Sequence, residues 1–302
     1  MAHFNARLRF IDQFLARFNP VFSNTQMSAL RGLVYGMFFD YKRLSLSAIA
    51  RRTNIHYQKL QYFFSDSSWN INKLNDVRLG ILQNQSTTRA TPNGVFALDD
   101  TGCPKPYAHK TEGAQFQYCG SLGRKENCNI AVASCFVSNT KHFPINFKSY
   151  IPVQGQPPEN FKSKPDLAKE LITEAVAKNI PFSSIVFDAW YTSSEIIEFI
   201  ASKNLVFVAE TKINRSIYFA HPKTKQQSHM RAEKIIPLIK QFYAHRLKHV
   251  EILQDSPASP GQCKEAIAAL IIIDSTCLLS KNKAIAETLK IKSQRFIQHL
   301  EN

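Results

Sequence analysis

Twice in this sequence an apolar run stops on aspartate: "GVFALDD" ends at Asp99 and Asp100, and "SSIVFD" ends at Asp188. Both runs have the length and the β-branched and aromatic content of short strands. A strand interior disfavours charge, so a carboxylate at its mouth is either a turn former or part of a site. One such run says little, but two in one chain call for a fold whose buried strands end side by side in acids.

The texture of the chain changes near residue 90. Before it the period is helical, in "FIDQFLARF", "QMSALRGLVYGMFFDYKRL" and "SLSAIARRTNIHYQKLQYFFSDS". In the last of these, Leu46, Ile49 and Ala50 form one apolar face, Thr53-Asn54 break it, and Tyr57, Leu60, Gln61 and Phe64 continue on a second helix with His56, Gln58 and Lys59. The pattern fits a helix-turn-helix that enters a major groove, and equally a plain helical hairpin.

After residue 90, "GVFALDD", "AQFQYCGSL" and "NIAVASCFVS" read as three strands of an antiparallel meander. A Pro-rich basic connection, "KSYIPVQGQPPENFKSKP", leads to the helix "DLAKELITEAVAKN", with Asp166 in its first turn and Lys178 and Asn179 at its end. Strand "SSIVFD", helix "SSEIIEFIASK" and strand "LVFVAET" follow, with Thr192 and Glu195 placed as a capping box. Helix-strand alternation implies parallel crossovers on the sheet begun by the meander. The expected fold class is α+β/α/β: an N-terminal helical region (1–90), a ribonuclease-H-like mixed β-sheet with flanking helices (91–252), and a helical tail (253–302). In that fold the first and fourth strands are neighbours, so Asp100 and Asp188 converge. Paired carboxylates are what a two-metal phosphoryl-transfer site requires, because Mg2+ or Mn2+ prefers carboxylate oxygen.

Charge narrows the partner. Lys and Arg outnumber Asp and Glu 38 to 23, a formal +15, which predicts attraction to a polyanion, with nucleic acid as the leading candidate. No run approaches the roughly 18 apolar residues of a spanning helix, and the N-terminus lacks a signal-peptide core, so a cytoplasmic, nucleoid-associated protein without membrane contact is expected. The six cysteines, 103, 119, 128, 135, 263 and 277, form no CxxC pair and read as reduced thiols.

The blocks "LDDTGCPKP", "QYCGSLGRKENCNIAVASCFVS", "FPINFKSYIP" and "FDAWYTSSEIIEFI" resemble, in order and spacing, the insertion-sequence transposases of the DDE superfamily. The resemblance runs from roughly residue 10 to 250. It implies that Asp100, before Thr-Gly, and Asp188 are catalytic, metal-holding acids, and that two divalent ions serve an intact site. It also implies double-stranded DNA as partner, at element ends and target, and a homo-oligomer with a DNA-binding and oligomerising helical region. Neighbours on a strand point to opposite faces, so Asp99 is expected to orient the loop rather than share the metals.

The third acid of the family is where the chain departs. Its signature Tyr-x-x-Arg-x-x-x-Glu-x-x-x-x-x-x-Lys is met at Tyr243 and Arg246, but Val250 and Pro257 stand at the glutamate and lysine positions. Glu251 is one residue late, about 100° around a helix. Glu233, read as lying on the helix directly after the fifth strand, is the other candidate. The expectation is therefore a truncated or frameshifted copy, either an impaired transposase or a non-catalytic chain that binds DNA or dimerises. Lys105, Lys110, Arg124 and Lys125 are candidate phosphate contacts, and Trp190 and Tyr191 candidate stacking residues, each with solvated-loop or packing roles as the alternative. His245 and His249 lack a third ligand and read as surface residues.

Overall fold

The computed structural model describes residues 2–39, 45–108, 111–153, 158–209 and, between 214 and 241, residues 214, 216–220, 223–224, 227–231, 233–235, 237 and 241. The chain divides into two compact units between Arg89 and Ala90.

The first unit holds helices α1 (Ala2–Ala16), α2 (Asn24–Phe39), α3 (Leu46–Thr53), α4 (Tyr57–Ser65) and α5 (Ile71–Gln83). Leu15, Phe18, Phe22, Met27, Ile49, Leu60 and Phe63 form its core, where full burial of one such side chain contributes roughly 1.5–3 kcal/mol. Ser45 caps α3, and Asn54 ends it in the left-handed conformation, at φ 54°, one of the few conformations in which Asn replaces Gly at little cost. The break read at Thr53-Asn54 is therefore real. The second helix, however, buries Leu60 and Phe63 and leaves Tyr57, Tyr62 and Phe64 exposed. The expected apolar face of α4 is corrected accordingly: of Tyr57, Leu60, Gln61 and Phe64, only Leu60 reaches the core.

The second unit is built on a six-stranded mixed sheet: β1 (Val95–Pro104), β2 (Gln115–Cys119), β3 (Arg124–Val137), β4 (His142–Tyr150), β5 (Ser184–Phe187) and β6 (Phe207–Ala209). Helix α6 (Lys164–Ala177) precedes β5 and α7 (Ser194–Ser202) precedes β6. β3 runs antiparallel to β1 on one edge and to β2 and β4 on the other; β5 lies parallel to β1, and β6 parallel to β5. This is the ribonuclease-H-like order. On the side of the sheet that carries Phe96, Leu98, Val132 and Phe136, all buried, α6 packs with Leu167, Leu171 and Ile172.

Three element assignments differ from expectation. The meander has four strands, because His142–Tyr150 pairs with β3; Pro144 disguised it, and sits beside the register shift at Ser134/Cys135, where a residue without an N–H is tolerated. Helix α6 starts at Lys164, with Ser163 and Asp166 forming the capping box and a proline in the first turn. Helix α7 is capped by Ser193, not Thr192; the Thr192 hydroxyl donates instead to the Asp188 carbonyl at 3.2 Å.

Glu233 does not directly follow the fifth strand of the fold. A hairpin of β7 (Ser216–Ala220) and β8 (Gln227–Arg231) intervenes. Glu251, Val250, Tyr243, Arg246, Pro257, His245, His249, Lys110 and the tail from 253 lie outside the described residues. Among the described residues no helix is long and apolar enough to cross a membrane, and Cys103, Cys119, Cys128 and Cys135 are free thiols.

Candidate active site

The parallel ladder between β1 and β5 runs from Val95↔Ser184 to Leu98↔Phe187. The next residue after the ladder is aspartate in both cases, Asp99 within β1 and Asp188 just past β5, so these two carboxylates stand at the same level on adjacent strands. β5 stops there because the chain turns: the Tyr191 amide donates to the Asp188 carbonyl at 3.2 Å, and the Trp190 amide donates to Asp188 Oδ1 at 3.0 Å. The side chain of Asp188 thus forms its own turn, as Asp commonly does, and keeps Oδ2.

Alternation along β1 puts Asp99 and Asp100 on opposite sides. Asp100 shares the side of Leu98 and α6, where Lys164 Nζ lies 2.5 Å from its Oδ2. Asp99 is exposed, and its Oδ1 accepts the Asp100 amide at 2.8 Å. Partial desolvation raises the Asp99 carboxyl above the usual carboxylate range, and the negative charges of Asp188 and then Asp100 push the same way. Alternation therefore separates Asp99 from Asp100 without removing it from the field of Asp188.

Beneath these acids lies Tyr191, 2% exposed, whose hydroxyl has no hydrogen-bond partner. Burial holds its proton strongly, and Asp100, Asp188 and Asp99 add to the effect. Trp190 beside it is 72% exposed. Of the two aromatics read as stacking candidates, one is at the surface and the other in the core.

Each of the three aspartates uses one oxygen in a protein contact, local for Asp99 and Asp188 and to Lys164 of α6 for Asp100, and has the other without a protein partner among the described residues. Those spare oxygens, the mutual repulsion of the acids, and the orphaned Tyr191 hydroxyl fit a divalent cation, which carboxylate oxygen favours. Among the described residues no three His, Cys, Asp or Glu side chains already form a metal cage. Glu233 is exposed and 3.8 Å from Arg231 in an ion pair.

Lys164 was not singled out in the sequence. Its signal was the Ser-Lys-Pro-Asp start of α6, which foretells a helix cap but not the residue its ammonium reaches. Lys105, Arg124 and Lys125 lie on the loop after β1 and on the β2–β3 hairpin. Arg124 pairs with Glu126 at 3.2 Å.

The family described as DDE superfamily endonuclease matches residues 17–249 of this chain. The chain belongs to that family. A curated relative, the probable transposase for insertion sequence element IS701 of Microchaete diplosiphon, is 26% identical over 215 residues, covering 70% of this chain and 56% of the relative. This chain thus spans about half the length of the curated relative it matches. A solved structure, the Drosophila P element transposase strand transfer complex, aligns over 76% of this chain and 55% of its own, at 12% identity and a TM-score of 0.26. The family read from the blocks around Asp100 and Asp188 is the family found.

Proposed function

We propose that this chain is a DDE transposase of an insertion element, acting on DNA phosphodiesters at element ends with Asp100 and Asp188 as its metal-holding acids and Asp99 beside them. The observation that carries this is the β1–β5 ladder, whose register brings Asp99, in the middle of β1, level with Asp188 just after β5, with Asp100 next along β1 and an open oxygen on each acid. Two Mg2+ or Mn2+ ions there would supply positive charge to the attacking and leaving oxygens of an in-line displacement.

The protein's own contribution is placement. The turn at Asp188 fixes one carboxylate, β1 fixes the other two, and Lys164 anchors Asp100 in an ion pair. Water or a 3′-hydroxyl attacks phosphorus, its proton passes to solvent, and the P–O bond to the departing strand breaks. The third acid of the family is Glu251, Glu233, or absent, and cleavage is accordingly impaired. The helical region 1–90 binds double-stranded DNA and oligomerises. Residues 91–252 form the catalytic domain, and 253–302 a tail. Of the residues on α4, Gln58 and Gln61 face outward, whereas Lys59 is tied to Ser28 Oγ at 3.0 Å, so base contacts come from the glutamines. The protein works in the cytoplasm, at the nucleoid.

The test is nicking of an element-end duplex by purified chain with Mg2+ or Mn2+. Weak, ion-dependent nicking without strand transfer is expected, abolished in Asp188→Asn and Asp100→Asn. Nicking that persists in Asp188→Asn, or that needs no divalent ion, would overturn the site. DNA binding with no nicking under any ion would favour the non-catalytic, DNA-binding alternative.

A further inference from the structure

The β2–β3 hairpin turns an unusual side to solvent. Along β2, Gln115, Gln117 and Cys119 face inward, while Phe116 and Tyr118 are 73% and 59% exposed. Across the ladder, Asn127 stands opposite Phe116 and Lys125 opposite Tyr118, and directly opposed residues of an antiparallel pair share a face. That face is continuous with the one bearing Asp99, whose β3 partner is Ala133. From Ala133 to Asn127 is six residues, roughly 20 Å at about 3.4 Å per residue.

The loop after β1 is fastened to the same surface. Asn127 Nδ2 donates to the carbonyls of Lys105 and Ala108, at 3.0 and 2.8 Å, and Asn129 Nδ2 to that of Glu112 at 2.9 Å. These bonds hold Tyr107, 89% exposed, beside the hairpin. Lys105 and Lys125 have no carboxylate partner among the described residues, so the exposed rings of the hairpin and loop stand beside two uncompensated cations, Lys125 opposite Tyr118 on the ladder and Lys105 in the loop.

We infer that this face is a binding surface for single-stranded DNA leaving the carboxylate cluster, with unpaired bases stacking on Phe116 and Tyr118 and the backbone held by Lys125 and Lys105. Rings stack on bases only where the strand is unpaired and the base faces are free, and stacking of this kind is tolerant of sequence. The cations among the rings favour a polyanion over an apolar protein partner. The inference rests on the reading that the substrate is DNA, but not on which acids hold metal.

The test uses the full chain and fluorescein-labelled oligo(dT), followed by anisotropy without divalent ions. The double substitution Phe116→Ala and Tyr118→Ala should weaken oligo(dT) binding at least tenfold, while binding of an element-end duplex changes less than twofold and the melting temperature stays unchanged. Lys125→Gln should reduce the salt slope for oligo(dT) by about 0.7, the value for one phosphate contact on a single strand. Unchanged oligo(dT) affinity in the double variant would overturn the inference. So would a change in sedimentation, which would make the face a contact between copies, or a lowered melting temperature, which would make it a surface covered by this chain itself. Asp188→Asn should bind oligo(dT) normally, so loss of nicking in that variant and loss of strand binding in the hairpin variant report separately on the two readings.

Discussion

Lys164 Nζ and Asp100 Oδ2 are 2.5 Å apart, joining the first turn of α6 to β1, and the same ammonium lies 5.5 Å from the centre of the Tyr150 ring. Both charged side chains are about three-quarters buried, at 28% and 24% exposure. Removing one partner strands the other in a poorly solvated place. Lys164→Met is expected to cost about 1–2 kcal/mol in urea denaturation and far less in an Asp100→Asn background. A double-mutant coupling near zero would show that the pair contributes nothing in solution.

The α6 cap gives a pH dependence with a definite sign. The Ser163 hydroxyl, aided by its backbone N–H and by Lys169, holds the Asp166 carboxyl below its ordinary value of 3.8. A depressed folded value means stability that is full above the ordinary value and lost as pH falls through the lower, folded one. Asp166→Asn should therefore cost about 0.5–1 kcal/mol at pH 7, a modest figure because the side chain is 46% exposed. The difference from the parent should narrow steadily as pH drops below 3.8. A gap that stays constant with pH would assign the effect to shape rather than charge.

Tyr191→Phe removes a buried hydroxyl that makes no hydrogen bond. Stability should be unchanged or raised by up to about 1 kcal/mol, since the desolvation of the hydroxyl is no longer suffered. A loss above about 1 kcal/mol would mean that the hydroxyl has a partner after all. Mn2+ titration of the same variant, by calorimetry, reads whether that hydroxyl supports the carboxylates.

Gly102, two residues beyond Asp100, has no room for a side chain: a Cβ there would lie 2.6 Å from Cys119 Sγ, and Cys119 is fully buried. Gly102→Ala should cost about 1–3 kcal/mol through overpacking, with part of the loss recovered by Cys119→Ala. Full stability of the single variant would show that the β1–β2 contact yields freely.

The strands were legible where hydrophobicity and length agreed. Val95–Leu98, Ser184–Phe187 and the run from Asn129 to Val137 are apolar on both sides and have no competing helical period. β4 was not, because Pro144 argues against a strand until its place beside a register shift is known. The apolar face of α4 was misplaced by its own aromatics: Tyr57, Tyr62 and Phe64 look like core residues in a one-dimensional pattern, and only the packing of α2 and α3 selects Leu60 and Phe63. At the site, the pattern of acids named Asp100 and Asp188. It could not reveal the Lys164 contact, which depends on α6 crossing the sheet, nor the depth of Tyr191, which depends on the turn after β5.

The ladder that brings β1 beside β5 holds only four residue pairs, and its members are 89 positions apart, the separation also of the Ser183 hydroxyl from the Gly94 carbonyl that it bonds. Closing so long a loop is entropically costly, and contacts of this kind form slowly. During synthesis the hairpins of β1, β3 and β4 can pair as soon as they emerge, yet the acids stay apart until α6 and β5 have followed. The proposed site is therefore assembled late on the folding pathway, and a ribosome stalled before Ser184 carries a sheet whose β1 acids have not yet met Asp188.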